Sequence, residues 1–100
     1  MWLLIINPTS GGGKGQVVGE RVKAFLNQRG VQYHDISGSS YESAATNLRS
    51  ALKEFSVKGV IIVGGDGLVH LAIQELAGSE VALIVVPGGT GNDFARALGL

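Results

Sequence analysis

Three short glycine-rich segments hold most of the residues in this sequence that could do chemistry. They are 7–15, which contains Lys14, 64–67, which has Asp66 between glycines, and 87–93. Glycine accounts for 16 of the 100 residues, against an average of about 7%. It lets the backbone turn with positive φ and lets a ligand approach the main chain, where successive N–H groups hold anions. The three segments therefore predict a site for a phosphate-bearing ligand.

Each of these segments follows a short apolar run that reads as a buried strand. Helical patterns separate the runs, so the order is βαβαβαβα. We predict strands at 2–6, 31–36, 59–63 and 81–86, and helices at about 16–29, 39–55, after 67 and after 93. This order predicts an α/β fold with three layers, α/β/α, and a mainly parallel sheet. Right-handed crossovers then bring every strand-to-helix loop to the same edge of the sheet.

Helical spacing also predicts which residues face the core. They are Val18, Val22, Phe25 and Leu26 in the first helix, Ala45, Leu48, Leu52 and Phe55 in the second, and Val69, Ala72, Ile73 and Leu76 in the third. Ser39 and Glu42 fit a capping box at the start of the second helix. Gly30 fits a left-handed cap at the end of the first.

Composition narrows the class of protein. Eight basic residues balance eight acidic ones without forming a stripe, so we expect no nucleic-acid partner. The chain has no cysteine, which excludes disulfides and thiolate chemistry and fits a cytoplasmic protein. The apolar runs are too short to span a membrane, and we find no signal peptide. We interpret 1–100 as one domain, and the stop directly after a predicted helix suggests the N-terminal part of a longer protein.

The glycine segments differ from the common nucleotide fingerprints. A Walker loop needs Gly-Lys-Ser/Thr, but Gly15 follows Lys14. The dinucleotide pattern lacks its last glycine. Asp66 could cap a helix, bind Mg²⁺ or accept a proton in phosphoryl transfer. Thr90 could hold phosphate oxygens, while Asn92 could do so or cap the last helix.

Taken in order, the segments 7–12, 64–67 and 87–94 resemble the catalytic domain of the diacylglycerol kinase family. Bacterial lipid kinases belong to that family, and sphingosine and ceramide kinases are related to it. The resemblance covers essentially the whole chain. It implies a domain that binds ATP with Mg²⁺, and a second, C-terminal, β-rich domain that completes a lipid site in the cleft between the two. Any membrane contact is expected to be transient and to involve that second domain.

The resemblance and the chemistry of the residues together predict the site. The expected ATP contacts are Asn7, Pro8, Thr9, Ser10, Gly11, Lys14, Ser37, Gly64, Gly65, Gly67, His70, Gly89, Thr90, Gly91 and Asn92. Asp66 is the expected catalytic residue and metal ligand, which activates the lipid hydroxyl or orients Mg²⁺. The chain departs from the family at Leu68, where Thr is usual, and at Leu71, where Glu is usual. His70 stands where Asn is frequent and resembles the sphingosine-kinase variant.

These observations predict an ATP-dependent lipid kinase, with the isolated 100 residues inactive. One alternative is an NAD kinase, whose family shares the Gly-Gly-Asp-Gly motif, although the segment 87–94 resembles the lipid kinases. A second is a non-catalytic, regulatory nucleotide-binding module, which Leu68 and Leu71 favour. A purely structural α/β domain is the third. Three glycine segments at one sheet edge argue against it, because such loops cost stability.

Overall fold

A computed structural model describes residues 1–7 and 12–86 of the chain. Within those residues, strands alternate with helices from end to end. The elements are β1 (Trp2–Ile6), α1 (Lys14–Gln28), β2 (Tyr33–Asp35), α2 (Tyr41–Glu54), β3 (Gly59–Val63), α3 (Asp66–Leu76) and β4 (Ala82–Val86). The predicted α/β fold is confirmed, and the predicted last helix lies outside the described residues.

The strands form one parallel sheet in the order β2-β1-β3-β4. The two central strands, β1 and β3, pair along their whole length, from Trp2 opposite Gly59 to Ile6 opposite Val63. All five residues of β3 are buried, as expected for a strand that is covered on both faces. The pair β1–β3 therefore forms the centre of the sheet.

Helices cover both faces of the sheet, which gives the predicted three layers. On one face, α1 packs Val18, Val22 and Leu26 against alternate residues of the central strands. On the other face, α2 and α3 pack together over the remaining alternate residues, with Leu48 and Ala72 fully buried. This arrangement follows from right-handed crossovers, since the chain moves from β1 to β2 in one direction and from β2 to β4 in the other.

Local signals set the helix ends, with one correction. The side chain of Ser40, not Ser39, caps α2 and accepts a hydrogen bond from the Ser43 N–H at 3.1 Å. The capping box was therefore placed one residue early. At the end of α1, Gly30 has the predicted positive φ of 67°. The N–H of Val31 returns to the Leu26 carbonyl at 2.9 Å, which completes a Schellman motif.

Two further predictions need correction. Strand β2 covers three residues rather than six, because it is an edge strand that pairs with β1 only through Tyr33–Asp35. In α3 the predicted core residue Ile73 is 53% exposed, while Leu68 is buried in its place. The sequence of α3 is apolar around most of its circumference, so periodicity alone did not define its buried face.

Candidate functional site

The carboxyl ends of the two central strands define the candidate site. The N–H of Asn7, the residue after β1, donates to the Val63 carbonyl at the end of β3, at 2.8 Å. The N–H of Gly64 donates in turn to the Val86 carbonyl at the end of β4, at 3.1 Å. Three strands thus end at the same level. The strand order also reverses between β1 and β3, which is where open α/β sheets bind their ligands.

The first glycine-rich loop at this edge connects β3 to α3. Gly64 has φ 142°, a conformation that favours glycine. Gly65 is the N-cap of α3 and has no side chain that could bond to the N–H groups of the first turn, which can therefore receive an anion. Among the residues that the structure describes, no heavy atom lies within 4 Å of a Cβ added at Gly65. This geometry suits a phosphate group.

Asp66 is the first residue of α3 and is exposed. Its side chain does not cap the helix, because the N-cap is Gly65. The structural alternative considered for Asp66, a helix cap, is therefore wrong. Its carboxylate can supply one oxygen to Mg²⁺, which is usually held by one or two carboxylates together with substrate phosphates. Within the described residues, no group of three or more acidic, His or Cys side chains is arranged so that it could hold a metal ion.

The second glycine-rich segment connects β1 to α1. Gly12 and Gly13 both have positive φ, 71° and 96°, and Gly13 is an N-cap without a side-chain hydrogen bond. Lys14 begins the helix and is exposed. Both helices that follow the central strands thus have a glycine as N-cap, and neither N-cap supplies a side-chain hydrogen bond to the first turn. Two such helix ends at one sheet edge are the strongest geometric indication of an anion site in the described chain.

A cavity of about 230 Å³ opens beside Asn7 at the same edge. The loop after β2 and the start of α2 form one wall, and Leu68 of α3 forms another. Its lining residues are Ile5, Ile6, Asn7, Gly38, Ser39, Ser40, Tyr41, Ala44 and Leu68. The predicted set included Asn7 but missed the others. The polar run 37–40, which follows a strand of a parallel sheet, was the signal that could have identified this wall.

Ser37 lies next to this wall with its hydroxyl already engaged. Its Oγ accepts a hydrogen bond from the Ile6 N–H at 2.8 Å and donates one to Asp35 Oδ1 at 2.6 Å. The hydroxyl thereby ties the end of β2 to the end of β1. It retains one lone pair for a ligand, so a contact with nucleotide stays a prediction.

His70 and Gly67 lie together, but in a different hollow. They line a groove of about 320 Å³ between α2 and α3, together with Tyr41 and Leu71. Tyr41 lines both this groove and the cavity beside Asn7. His70 is exposed and lies one turn beyond Asp66 on α3. Its contact with nucleotide also stays a prediction.

The two departures from the family motif are apolar packing residues. Leu68 is 3% exposed and belongs to the core beneath α2 and α3. Leu71 is partly buried against the same core. The remaining predicted contacts, Pro8, Thr9, Ser10, Gly11, Gly89, Thr90, Gly91 and Asn92, lie outside the described residues.

Comparison with known proteins identifies the family. The sequence matches the diacylglycerol kinase catalytic domain over residues 1–100, and the chain belongs to that family. It is 38% identical over 96 residues to a diacylglycerol kinase of Mycobacterium tuberculosis. It is 35% identical over 108 aligned positions to a diacylglycerol kinase of Bacillus subtilis, and 37% identical over 101 positions to diacylglycerol kinase 1 of Drosophila melanogaster.

These alignments take in nearly all of this chain but only part of each relative. The alignments with the Mycobacterium tuberculosis, Bacillus subtilis and Drosophila melanogaster proteins cover 96%, 97% and 96% of this chain, respectively. They cover 31%, 32% and 8% of those relatives. The chain therefore spans about a third of the bacterial enzymes that it matches. Among the described residues, no helix has both the length and the apolar character needed to cross a membrane.

Proposed function

We propose that this chain is the ATP-binding part of a lipid kinase that transfers the γ-phosphate of ATP to the hydroxyl of a diacylglycerol-like lipid. The observation that carries the proposal is the pair of glycine-initiated helices at the ends of the central strands. The N-terminus of α1 at Gly13 and that of α3 at Gly65 both follow strands at the reversal of strand order. Membership of the family supplies the reaction class.

ATP phosphates bind across these two helix ends in this account. Backbone N–H groups and the helix dipoles attract the negative charge, and Lys14 adds a mobile positive charge. Phosphoryl transfer needs little covalent work from the protein, so positioning and charge neutralisation supply most of the rate. A glycine at each cap lets the phosphates approach the main chain.

Asp66 carries the chemistry of the proposed site. It stands exposed beside the N-cap of α3, so its carboxylate can face the reacting phosphate. Mg²⁺ would neutralise phosphate charge there, with Asp66 as one protein ligand. Alternatively, the same carboxylate accepts the proton of the lipid hydroxyl as it attacks. Both roles need an ionised carboxylate at position 66.

The lipid site lies outside the 100 residues in this proposal, in a C-terminal domain. Two-thirds of each bacterial relative has no counterpart in this chain. The isolated chain is accordingly expected to transfer little phosphate, and the full-length protein is expected to work at the cytoplasmic face of a membrane through brief contacts of that domain.

The test is phosphate transfer by the full-length protein from radiolabelled ATP to diacylglycerol in mixed micelles with Mg²⁺. Labelled phosphatidic acid is expected, and Asp66→Asn should lower kcat by at least about 10²-fold while ATP still binds. Equal activity of Asp66→Asn would remove Asp66 from the mechanism. Transfer to NAD⁺ in place of lipid would support the NAD kinase instead.

A second candidate is a nucleotide-binding module that does not catalyse transfer. The observation in its favour is that Leu68 and Leu71 are packed against the core, where the family usually has Thr and Glu. Saturable ATP binding by the full-length protein, with no transfer to any lipid or to NAD⁺, would support this candidate over the kinase.

A further inference from the structure

A group of four polar partners joins three elements just behind the candidate site. Asp35, at the end of β2, accepts hydrogen bonds from the Ser37 hydroxyl at 2.6 Å and from the Ser37 N–H at 3.0 Å. Its other carboxylate oxygen pairs with Lys23 Nζ of α1 at 2.9 Å. Ser37 Oγ in turn accepts the Ile6 N–H of β1 at 2.8 Å. We refer to Lys23, Asp35, Ser37 and the Ile6 N–H as the Asp35 clamp.

The Asp35 clamp lies beside two residues that separate two hollows, and we call these two residues the partition. The cavity beside Asn7 lies on one side, and a smaller hollow of about 150 Å³ lies on the other, against α1. Ile6 and Gly38 line both hollows, so they form the partition. Ser37 fixes both of them, because it holds the Ile6 N–H and directly precedes Gly38 in the chain.

The clamp also determines where two walls of the cavity stand relative to each other. One wall begins at Asn7, the residue after Ile6, and the other begins at Gly38, the residue after Ser37. A single hydroxyl holds both starting points. Ser37 Oγ keeps its orientation because it donates its hydrogen bond to Asp35 Oδ1, and Asp35 keeps its rotamer because Lys23 pairs with the second oxygen. A charged acceptor gives a stronger and more directional hydrogen bond than a neutral one.

From this geometry we infer that Asp35 is a positioning residue for the nucleotide: through Ser37 it holds Asn7 and the loop 38–40 at the separation that the bound nucleotide needs. Asp35 itself touches no substrate in this account. The inference rests on the proposed function. It adds a residue that neither the glycine motifs nor the predicted contacts included.

The test measures steady-state kinetics of the full-length protein with ATP and diacylglycerol as separately varied substrates. Asp35→Ala and Ser37→Ala should each raise KM for ATP about five- to tenfold, because part of the free energy of the lost internal hydrogen bond must then be supplied when ATP binds. Neither should change kcat or KM for lipid by more than about twofold, because Asp66 and the lipid site are not held by the clamp. Ser37→Thr keeps the hydroxyl and should restore a KM near that of the unsubstituted protein.

A matched control separates positioning from general stability. Ser79, after the end of α3, makes two comparable hydrogen bonds: its Oγ donates to the Leu76 carbonyl at 2.8 Å and accepts from the Val81 N–H at 3.3 Å. It lines neither the cavity beside Asn7 nor the groove that contains His70. Ser79→Ala should lower the melting temperature about as much as Ser37→Ala does, and leave KM for ATP unchanged. If Asp35→Ala does not fold, Lys23→Gln and the pair Ser37→Ala and Ser37→Thr give the same comparison.

The outcomes distinguish this inference from the function on which it rests. An unsubstituted protein that binds no ATP overturns both. An active protein whose KM for ATP is the same in Asp35→Ala, Ser37→Ala and Ser79→Ala overturns the inference and leaves the kinase intact. A loss confined to kcat also overturns it, because positioning of the nucleotide acts on ATP binding.

Discussion

The ring of Tyr41 lies directly against the backbone of Gly67. A Cβ added at Gly67 would come within 2.6 Å of the Tyr41 hydroxyl oxygen and 2.7 Å of two ring carbons. Gly67 belongs to the glycine motif next to Asp66, while Tyr41 begins α2. Glycine at position 67 therefore leaves room for the Tyr41 ring, and Tyr41 connects the motif to the cavity beside Asn7.

This contact predicts the effect of Gly67→Ala. The new methyl group should push the Tyr41 ring aside, and the ring can move because it is 53% exposed. Stability should change by less than about 1 kcal/mol, since alanine is the better helix former and offsets the strain. ATP affinity of the full-length protein, measured by calorimetric titration, should fall because a wall of the cavity has moved.

Tyr41→Ala provides the control for that prediction. The double variant Gly67→Ala, Tyr41→Ala should bind ATP as Tyr41→Ala does, because nothing remains for the methyl group to displace. If the two substitutions lower affinity additively, Gly67 acts on the phosphates directly rather than through Tyr41.

Gly38→Ala should destabilise the fold. An added Cβ would lie 2.6 Å from the Ala44 backbone nitrogen and 2.6 Å from Ser43 Cβ, and the backbone of α2 cannot yield as a side-chain tip can. We expect a loss of about 1–3 kcal/mol in urea unfolding. Gly65→Ala is the matched control, since none of the described residues has an atom within 4 Å of a Cβ at that position and its φ of −89° suits any residue. Equal stability of the two variants would contradict the packing described for the loop 38–40.

Leu68→Thr tests whether the departure from the family motif is a core residue. The change removes buried apolar volume and buries a hydroxyl, so it should cost about 2–4 kcal/mol in chemical denaturation. Ile73→Thr, on the exposed side of the same helix, should change stability by less than about 0.5 kcal/mol. If Ile73→Thr destabilised the protein more than Leu68→Thr, the buried face of α3 would be the one that helical periodicity predicted.

Acid should weaken the Asp35 clamp at a defined pH. Burial opposes ionisation of Asp35, but hydrogen bonds from Ser37 and Lys23 outweigh it and lower its pKa. The pKa of Lys23 is raised, chiefly by its hydrogen bond to Asp35, with Glu20 and Tyr33 as the other charged or titratable groups nearby. The stabilisation is thus complete above the ordinary pKa of an aspartate and is lost as pH falls through the lowered value.

The lowered pKa of Asp35 predicts a pH-dependent difference in stability between the unsubstituted protein and its Asp35→Asn variant. Urea unfolding of the unsubstituted chain and of Asp35→Asn should differ by up to about 1 kcal/mol at neutral pH, because the pair is partly exposed. The difference should shrink as pH falls below the ordinary range for aspartate. A difference that grows in acid would contradict the lowered pKa.

The sequence was most informative where continuous apolar runs left one interpretation. Strands Trp2–Ile6 and Gly59–Val63 have the predicted bounds, because a five-residue apolar run that ends at a proline or glycine signal is too short for a helix. It was less informative at β2, where an edge strand ends according to its pairing with β1 rather than its composition. The face of α3 was mispredicted for a similar reason, since packing on α2 selected Leu68 over Ile73.

The residues of the candidate site also fall into two groups: those that a local sequence pattern indicates, and those that it does not. Gly64 has a positive φ that few other residues adopt, so the sequence could indicate a loop at the carboxyl end of β3. Tyr41 and Asp35 could not be identified from the sequence, because their roles depend on contacts with Gly67 and with Lys23 that lie far apart in the chain. Long-range side-chain contacts leave no local pattern.

The most direct test of the central claim is calorimetric titration of ATP with Mg²⁺ into the full-length protein and its Gly65→Val variant. Thermal unfolding is expected to be unchanged in Gly65→Val, because the backbone at Gly65 is extended and a Cβ there contacts none of the described residues. The account predicts saturable binding to the unsubstituted protein, weaker binding of ADP and much weaker binding of adenosine, and loss of ATP binding in Gly65→Val. A folded Gly65→Val variant that binds ATP with unchanged affinity would show that the phosphates do not lie on the N-terminus of α3.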